Sequence, residues 1–539
     1  MKKNKMAAVL SAVMLLTACE PISQELPSSL SLESEYSHSE SLQTDDSNSE
    51  EEAETVSYTE YVADVPEIVN AEENIKIEAE DCSLGGSLYT SAERKGFSGT
   101  GYVTGFYGGS ADFIDINAEI ESNQHYDITL CAASDSDVES YITVNGKRLQ
   151  SFTIKGDGNF TRITLYGIYM HQGENAIAIN SGADNYDLDY IEITNNESVY
   201  NDSFELSESA SNEKMSTQAS LLLKSMKMAF GKKIITGQYA SSNENKELEL
   251  IHKTTGKYPA IRFGDIGGYS NGSSPSENEI QAAIDWAEKG GIVGFMWYWN
   301  SPDKNSSSVY SKDTTFSLKS AVTSEDISQK PISELEKLYD NGIISLECLN
   351  LVKNIDAVSN ALLVLADENI PVLWRPLHEA GGEWYWWGAD GADAYRWLYD
   401  LMYKRMTEYH KLNNLIWIWN GQSADYMVDS SQYDIAAIDI YLSPEEEYGS
   451  RYEQFMWLKK ITDNGKLLAI SECSSVPSID EMCRDNSLWS FFGLWFGEYL
   501  TDSKGNLSEI YTSKDELIKM YNAENAITLE NYAEAYTHN

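Results

Sequence analysis

Residues 370–388 read Ile370-Pro-Val-Leu-Trp-Arg-Pro-Leu-His-Glu-Ala-Gly-Gly-Glu-Trp-Tyr-Trp-Trp-Gly388. The first five are apolar and partly β-branched, the mark of a short buried strand. That strand runs straight into Arg375, His378, Glu379 and four aromatics. A strand that serves packing alone does not end in this way. A ligand pocket at a strand's C-terminal end does, because flat rings stack on sugar faces while a few polar groups fix orientation. Glu379 is therefore expected to be a general acid/base in a carbohydrate cleft.

Outward from this stretch, apolar runs recur at Lys233–Tyr239, Tyr258–Gly264, Gly291–Trp297, Leu415–Trp419, Ile435–Ile440, Leu467–Ser471 and Ser490–Trp495. Amphipathic helical stretches separate them, among them Ser276–Lys289, Val352–Glu368, Asp393–His410 and Tyr452–Thr462. Eight continuously apolar strands with helical crossovers predict a parallel (β/α)₈ TIM barrel over residues 204–537. In that fold chemistry sits where the strands end. The seventh strand ends in Glu472 as the fourth ends in Glu379. Two acids facing each other across one mouth suit glycoside hydrolysis, and a separation of about 5–5.5 Å makes the second a nucleophile with retention of configuration. Glu379 is expected to stay protonated through desolvation among Trp384, Tyr385, Trp386 and Trp387 and through repulsion from the second acid. Glu472 is expected to stay ionised with help from Arg375 or Tyr441. Trp386 and Trp387 read equally well as core residues.

Residues 75–196 follow another rule. Alternating runs such as Ala111–Ile116, His125–Leu130, Thr161–Leu165 and Asn175–Ile179 lie between Gly, Asn and Asp turns, with no helix-length period. They predict an all-β sandwich of jelly-roll type. Glu78 and Glu80 in its first strand and Asp189 in its last are candidates for a hard, oxygen-loving cation, as neighbouring strands would bring them together.

The 539 residues carry a formal net charge of -46, which argues against nucleic-acid binding and suits a neutral polysaccharide. Lys2, Lys3 and Lys5 precede an apolar run, Met6–Leu16, too short for a membrane span. Residues 1–19 thus read as an export signal. Leu16-Thr-Ala-Cys19 resembles a bacterial lipobox, which implies lipid attachment at Cys19 and a place on the outer cell surface. Residues 20–74 are Ser- and acid-rich without Lys or Arg and predict a disordered spacer. The other five cysteines read as mostly buried thiols, with Cys82–Cys131 or Cys473–Cys483 pairing left open. The barrel shows no zinc-protease HExxH, because Gly382 takes the second His position, and no G-x-S-x-G elbow or P-loop.

Ile77-Glu-Ala-Glu-Asp81, Gly96-Phe-Ser-Gly-Thr-Gly-Tyr-Val103 and Leu188-Asp-Tyr-Ile-Glu-Ile193 resemble family 35 carbohydrate-binding modules. The resemblance implies a structural calcium at Glu78, Glu80 and Asp189, and sugar binding in loops. Family members often have Asn where this chain has Asp187. The region from about 215 to 535 resembles family 26 glycoside hydrolases through Ile234-Ile-Thr-Gly-Gln238, Thr255-Gly-Lys-Tyr-Pro-Ala260, Trp374–Gly388, Ile438-Asp-Ile-Tyr441 and Ile470-Ser-Glu472. This implies Glu379 as acid/base, Glu472 as nucleophile, His378 and Trp384 as walls of the reacting subsite, Tyr441 beside the nucleophile, and Asp439 and Trp495 as further subsite residues. Tyr298 stands where relatives often place His, and Phe496 where some place Arg. The implied activity is endo-acting hydrolysis of β-1,4-mannosidic linkages in plant mannan, glucomannan or galactomannan, by a monomer and with no cofactor for catalysis. Another family 26 specificity (mixed-linkage β-glucanase or β-1,3-xylanase) and a non-catalytic surface glycan-binding protein are the alternatives.

Overall fold

The computed structural model describes residues 58–532, apart from 108, 110, 183, 202, 271–277, 304–305 and 445. The stretch read from sequence as an export signal, Cys19 and most of the stretch read as a spacer lie outside the described residues.

Eleven strands build the sandwich: β1 (Asn74–Glu78), β2 (Ser83–Leu84), β3 (Tyr89–Ser91), β4 (Tyr102–Thr104), β5 (Phe113–Ile120), β6 (Gln124–Ala133), β7 (Val138–Val144), β8 (Lys147–Ile154), β9 (Thr161–Met170), β10 (Gly173–Asn180) and β11 (Asp187–Asn195). One sheet runs β3-β4-β11-β6-β9 with β1 also on β11, the other β2-β5-β10-β7-β8, all antiparallel. In β5, Ile114, Ile116, Ala118 and Ile120 face the core while Asp115, Asn117 and Glu119 face out. Period-two alternation of this kind lets an antiparallel sheet keep one wet face.

β12 (Ile234–Ile235) pairs in parallel with the late β21 (Ala526–Ile527). Between them β13 (Gly237–Tyr239), β14 (Ile261–Asp265), β15 (Ile292–Met296), β16 (Val372–Arg375), β17 (Leu415–Trp419), β18 (Ile435–Ile440), β19 (Leu467–Cys473) and β20 (Phe492–Leu494) close into a parallel barrel. The TIM barrel expected from eight apolar runs is present. Every residue of β15, β16, β17 and β18 is buried, because helices cover the outer face and side chains fill the interior. The covering helix Leu346–Asp367 starts at Ser345, whose hydroxyl accepts from Cys348 N at 3.0 Å, and turns Leu351, Ile355, Leu362 and Leu365 inward.

Three readings from sequence need correction. The run Lys233–Tyr239 is two strands, because Thr236 donates from N and Oγ1 to Ile527 O and ties its first half to β21. Glu80 lies not in the first strand but in the 3₁₀ turn Ala79–Asp81. The spacer does not stay free of the folded body to residue 74. Tyr61 pairs with Ala523 and donates to Asp480 Oδ1 at 2.9 Å, while Val69 N reaches Asn123 O at 3.0 Å. Tyr61 supplies a ring partly buried against the barrel and backbone groups that bond Asn522 O and Glu524 N, and these hold this part of the chain to the folded body.

Sandwich and barrel meet around a buried polar centre. His125 Nε2 donates to Asp485 Oδ1 at 2.9 Å, and Arg484 Nε donates to the same oxygen at 2.6 Å. Burial alone would push the Asp485 carboxyl up; His125 and Arg484 overcome that and hold it at about 2. Gly167 (φ 68°) lets the Tyr452 ring pack there, since a Cβ would lie 2.3 Å from it.

Candidate active site

Strand β16 delivers Arg375 into the barrel mouth, and the chain then turns through two left-handed residues, Leu377 (φ 54°) and Glu379 (φ 53°). Such conformations cost about 1–3 kcal/mol each outside glycine and persist only where the surroundings enforce them. Asn420 does so here. Its backbone O and its Oδ1 accept from Glu379 N at 2.7 and 3.0 Å. Gly382 leaves room for Trp384 to fold back, since a Cβ would lie 1.9 Å from that ring. Trp384 Nε1 then donates to Glu379 Oε2 at 3.2 Å.

Glu472 arrives through a register shift. Ile438 pairs with Ile470, but after a bulge Asp439 pairs with Glu472 and Ile440 with Cys473. The extra residue, Ser471, donates to Asp439 Oδ1 at 2.6 Å and accepts from Asn420 Nδ2 at 2.8 Å. Bulges re-aim side chains at sheet rims in this manner. Arg375 holds the two acids together. Nη1 donates to Glu472 Oε1 at 2.8 Å, Nη2 bonds the same oxygen, and Nη2 also reaches Asp439 Oδ2 at 3.2 Å. Tyr441 Oη donates to Glu472 Oε2 at 2.6 Å.

Both glutamates are shifted, and unequally. Burial raises Glu379 well above the ordinary carboxyl range, with Asp439 and Glu472 adding to the effect through their negative charge. Burial also raises Glu472, but the Arg375 charge and the Tyr441 hydrogen bond oppose it. The balance leaves Glu472 raised to about 7 rather than fully ionised as expected from sequence, while Glu379 is raised well above its ordinary value, so Glu379 is the better placed of the two to hold the proton that acid-assisted displacement requires. Asp439 is also raised by burial and opposed by Arg375. Its side chain has no exposed surface, so it positions Arg375 and Ser471 and does not reach the open cleft.

The remaining candidates line the same mouth. Trp384 and Tyr441 stay open to solvent, at 37% and 36% exposure, as platforms for a ligand must. Trp386 and Trp387 are core residues; their Nε1 groups donate to Trp299 O at 2.6 Å and His378 O at 2.8 Å. His378 is buried among Tyr298, Tyr385 and Trp387, and both burial and Arg375 hold its pKa well below the usual histidine value. It is a neutral wall, not a proton shuttle. Tyr298 shares a hydroxyl contact of 3.2 Å with Tyr385 and is fixed by its backbone N donating to Asp265 Oδ1 at 2.9 Å. The Trp495 ring lies 4.7 Å from Tyr239 and 6.5 Å from Tyr298.

Sequence reasoning missed Asn420, Ser471 and Asp265. Only the position of Asn420 directly after an apolar strand offered a signal.

In the sandwich, Glu78, Glu80 and Asp189 converge on one loop. Ser98 N donates to Asp189 Oδ1 at 2.9 Å, Ser98 Oγ to Glu78 Oε2 at 2.8 Å, and Thr100 N to Glu80 Oε1 at 2.7 Å. Lys76 also pairs with Glu78 at 2.7 Å. Glu80 Oε2 is buried without a hydrogen-bond partner. Among the described residues no three His, Cys, Asp or Glu side chains stand close enough together to form a metal cluster by themselves. The five described cysteines are all free.

Residues 210–522 match the model of glycosyl hydrolase family 26, and residues 75–196 that of carbohydrate-binding module family 35. A mannan endo-1,4-β-mannosidase of Thermothelomyces thermophilus is 31% identical over 81% of this chain and 88% of its own length. Mannan endo-1,4-β-mannosidase B of a Piromyces species is 30% identical over 81% of this chain and 75% of its own. The crystal structure of a β-(1,4)-mannanase of Podospora anserina with the same two modules superposes with a TM-score of 0.59 at 26% identity, covering 86% of this chain and 99% of that one.

Proposed function

The chain belongs to glycosyl hydrolase family 26 and carries a family 35 carbohydrate-binding module ahead of its barrel, and on that footing we propose that it is an endo-acting β-1,4-mannanase. The observation that carries the reading is the pairing of a carboxyl pushed far up, Glu379, with a carboxylate braced by Arg375 and Tyr441, Glu472, in one aromatic-lined mouth.

The reaction follows from these roles. Glu472 attacks the anomeric carbon of the sugar as Glu379 gives its proton to the departing glycosidic oxygen, so the C–O bond breaks without releasing an alkoxide. Glu379, now ionised, takes a proton from water, and the hydroxide adds to the anomeric carbon as the ester to Glu472 breaks. Configuration is retained and both side chains return to their first state. Tyr441 and Arg375 hold Glu472 in place for attack, and Trp384 offers its ring to a sugar face while tethering the acid. Reducing-sugar release from mannan, glucomannan, galactomannan and mixed-linkage β-glucan, with wild type beside Glu472→Ala, tests this. Mannan cleavage lost in the variant supports it. Cleavage of β-glucan alone overturns the substrate, and glycan binding without cleavage overturns the activity.

We further propose that the sandwich holds a structural calcium ion through Glu78, Glu80 and Asp189. The unpartnered Glu80 Oε2 and the shared loop support this. Thermal unfolding that is insensitive to chelator and to added calcium would reject it. The Leu16-Thr-Ala-Cys19 motif supports surface attachment by a lipid on Cys19, and we propose that the chain acts as a monomer. Labelled fatty acid that fails to incorporate, or does so equally into Cys19→Ser, rejects the anchor, and light scattering checks the monomer.

A further inference from the structure

Two cavities border the loop that follows Tyr441 and share a wall. One, about 390 Å³, is lined by Pro444, Tyr448 and Tyr511 of the barrel. The other, about 620 Å³, lies between the modules, with Leu442 and Arg451 on the barrel side and Lys147 and Arg148 on the sandwich side. Glu446, Glu447 and Glu481 line both. The loop that follows Tyr441 supplies Leu442, Pro444 and Glu446, so it borders the catalytic centre at one end and both cavities beyond.

An aromatic row leads the same way. Tyr441, bonded to Glu472, has its ring 5.2 Å from Tyr499, and Tyr499 lies 4.7 Å from Tyr511. The walls carry both signs of charge. Lys147 Nζ sits 2.7 Å from Glu481 and 3.3 Å from Glu447 across the module boundary. Arg451 Nε is buried there without a hydrogen-bond partner. A lining of rings, carboxylates and guanidinium groups suits a neutral polyhydroxylated chain. Sugar hydroxyls donate to the carboxylates and accept from the arginines, whereas an anion would meet the glutamates.

We propose that this groove, reached through Tyr441, Tyr499 and Tyr511, is a distal binding site for the same glycan chain, so that the hairpin formed by β7 and β8 of the sandwich, whose turn lines the larger cavity, helps to form the extended cleft of the enzyme. The proposal rests on the mannanase reading. Its consequence is that long chains gain from the groove while short oligosaccharides, which end before it, do not.

The experiment compares kcat/KM on soluble mannan with that on mannotetraose for the full chain and for Tyr511→Ala and Arg148→Ala, one variant on each side of the module boundary. The polymer-to-tetraose ratio is expected to fall about tenfold in Tyr511→Ala, the scale of one lost ring–sugar stack, and severalfold in Arg148→Ala. Thermal unfolding verifies that each variant is folded, and Tyr511→Leu replaces Tyr511→Ala where it is not. An unchanged ratio in either folded variant overturns the proposal. Wild type that cleaves neither substrate overturns the mannanase reading instead, so the two failures are told apart.

Discussion

Arg375 and Glu472, on strands β16 and β19, are joined by a 2.8 Å hydrogen bond in a setting where the arginine has no exposed surface. The same guanidinium serves Asp439, so one cation holds two buried carboxylates. Arg375→Met leaves both uncompensated and should cost about 3–5 kcal/mol of stability. It should also move the acidic limb of kcat/KM to higher pH, because Arg375 is what opposes the upward push of burial on Glu472. A pH–rate profile whose acidic limb stays in place would remove Arg375 from that role.

Glu379→Gln should abolish mannan cleavage and yet stabilise the protein at neutral pH. A carboxyl whose folded pKa lies above its unfolded value binds its proton more tightly in the folded state, so its contribution to stability is present at low pH and is lost as pH rises through the folded pKa. Removing the group removes that loss. Calorimetry should find the variant's melting point about 2 °C or more above wild type at pH 8, with a smaller gap at pH 5. Equal melting points at both values would refute the elevated pKa.

Trp384→Phe keeps a ring over the cleft but deletes the Nε1 donor to Glu379 Oε2. That hydrogen bond favours the ionised acid and partly counters its burial. Its loss should raise Glu379 further and carry the basic limb of the profile upward, with kcat reduced about tenfold through poorer positioning. A basic limb that moves down would assign the upper pKa to another group.

Asp485→Ala deletes the carboxylate that His125 and Arg484 share between the modules. A depressed folded pKa means that this carboxylate stabilises above its unfolded pKa and that the benefit fades as pH falls towards about 2. The variant should lose about 3 kcal/mol at neutral pH and be less acid-sensitive than wild type below pH 4. A single unaltered transition at both pH values would show that the ion pair does not hold the modules together.

Periodicity along the chain was enough to identify a sandwich and an eight-stranded barrel, because alternation and continuous apolar runs report which faces of a strand are buried. It also marked Glu379 and Glu472, since acids that follow apolar barrel strands fall at the strands' C-terminal ends. What those acids become chemically was decided by closure of the barrel. Arg375 and Glu472 are 97 residues apart, and Glu379 and Asn420 41 apart; no local pattern records their meeting. The bulge that admits Ser471 turns on pairing between β18 and β19, and the wedge of Trp384 on the space beside Gly382. The seam at His125 and Asp485 likewise depends on surfaces that exist only once both modules have folded, and the docking of Tyr61 on a surface of the folded barrel. A residue's type and its local period are properties of the chain, but its desolvation and its charged neighbours arise from tertiary contacts, and those set the proton affinities on which the chemistry runs.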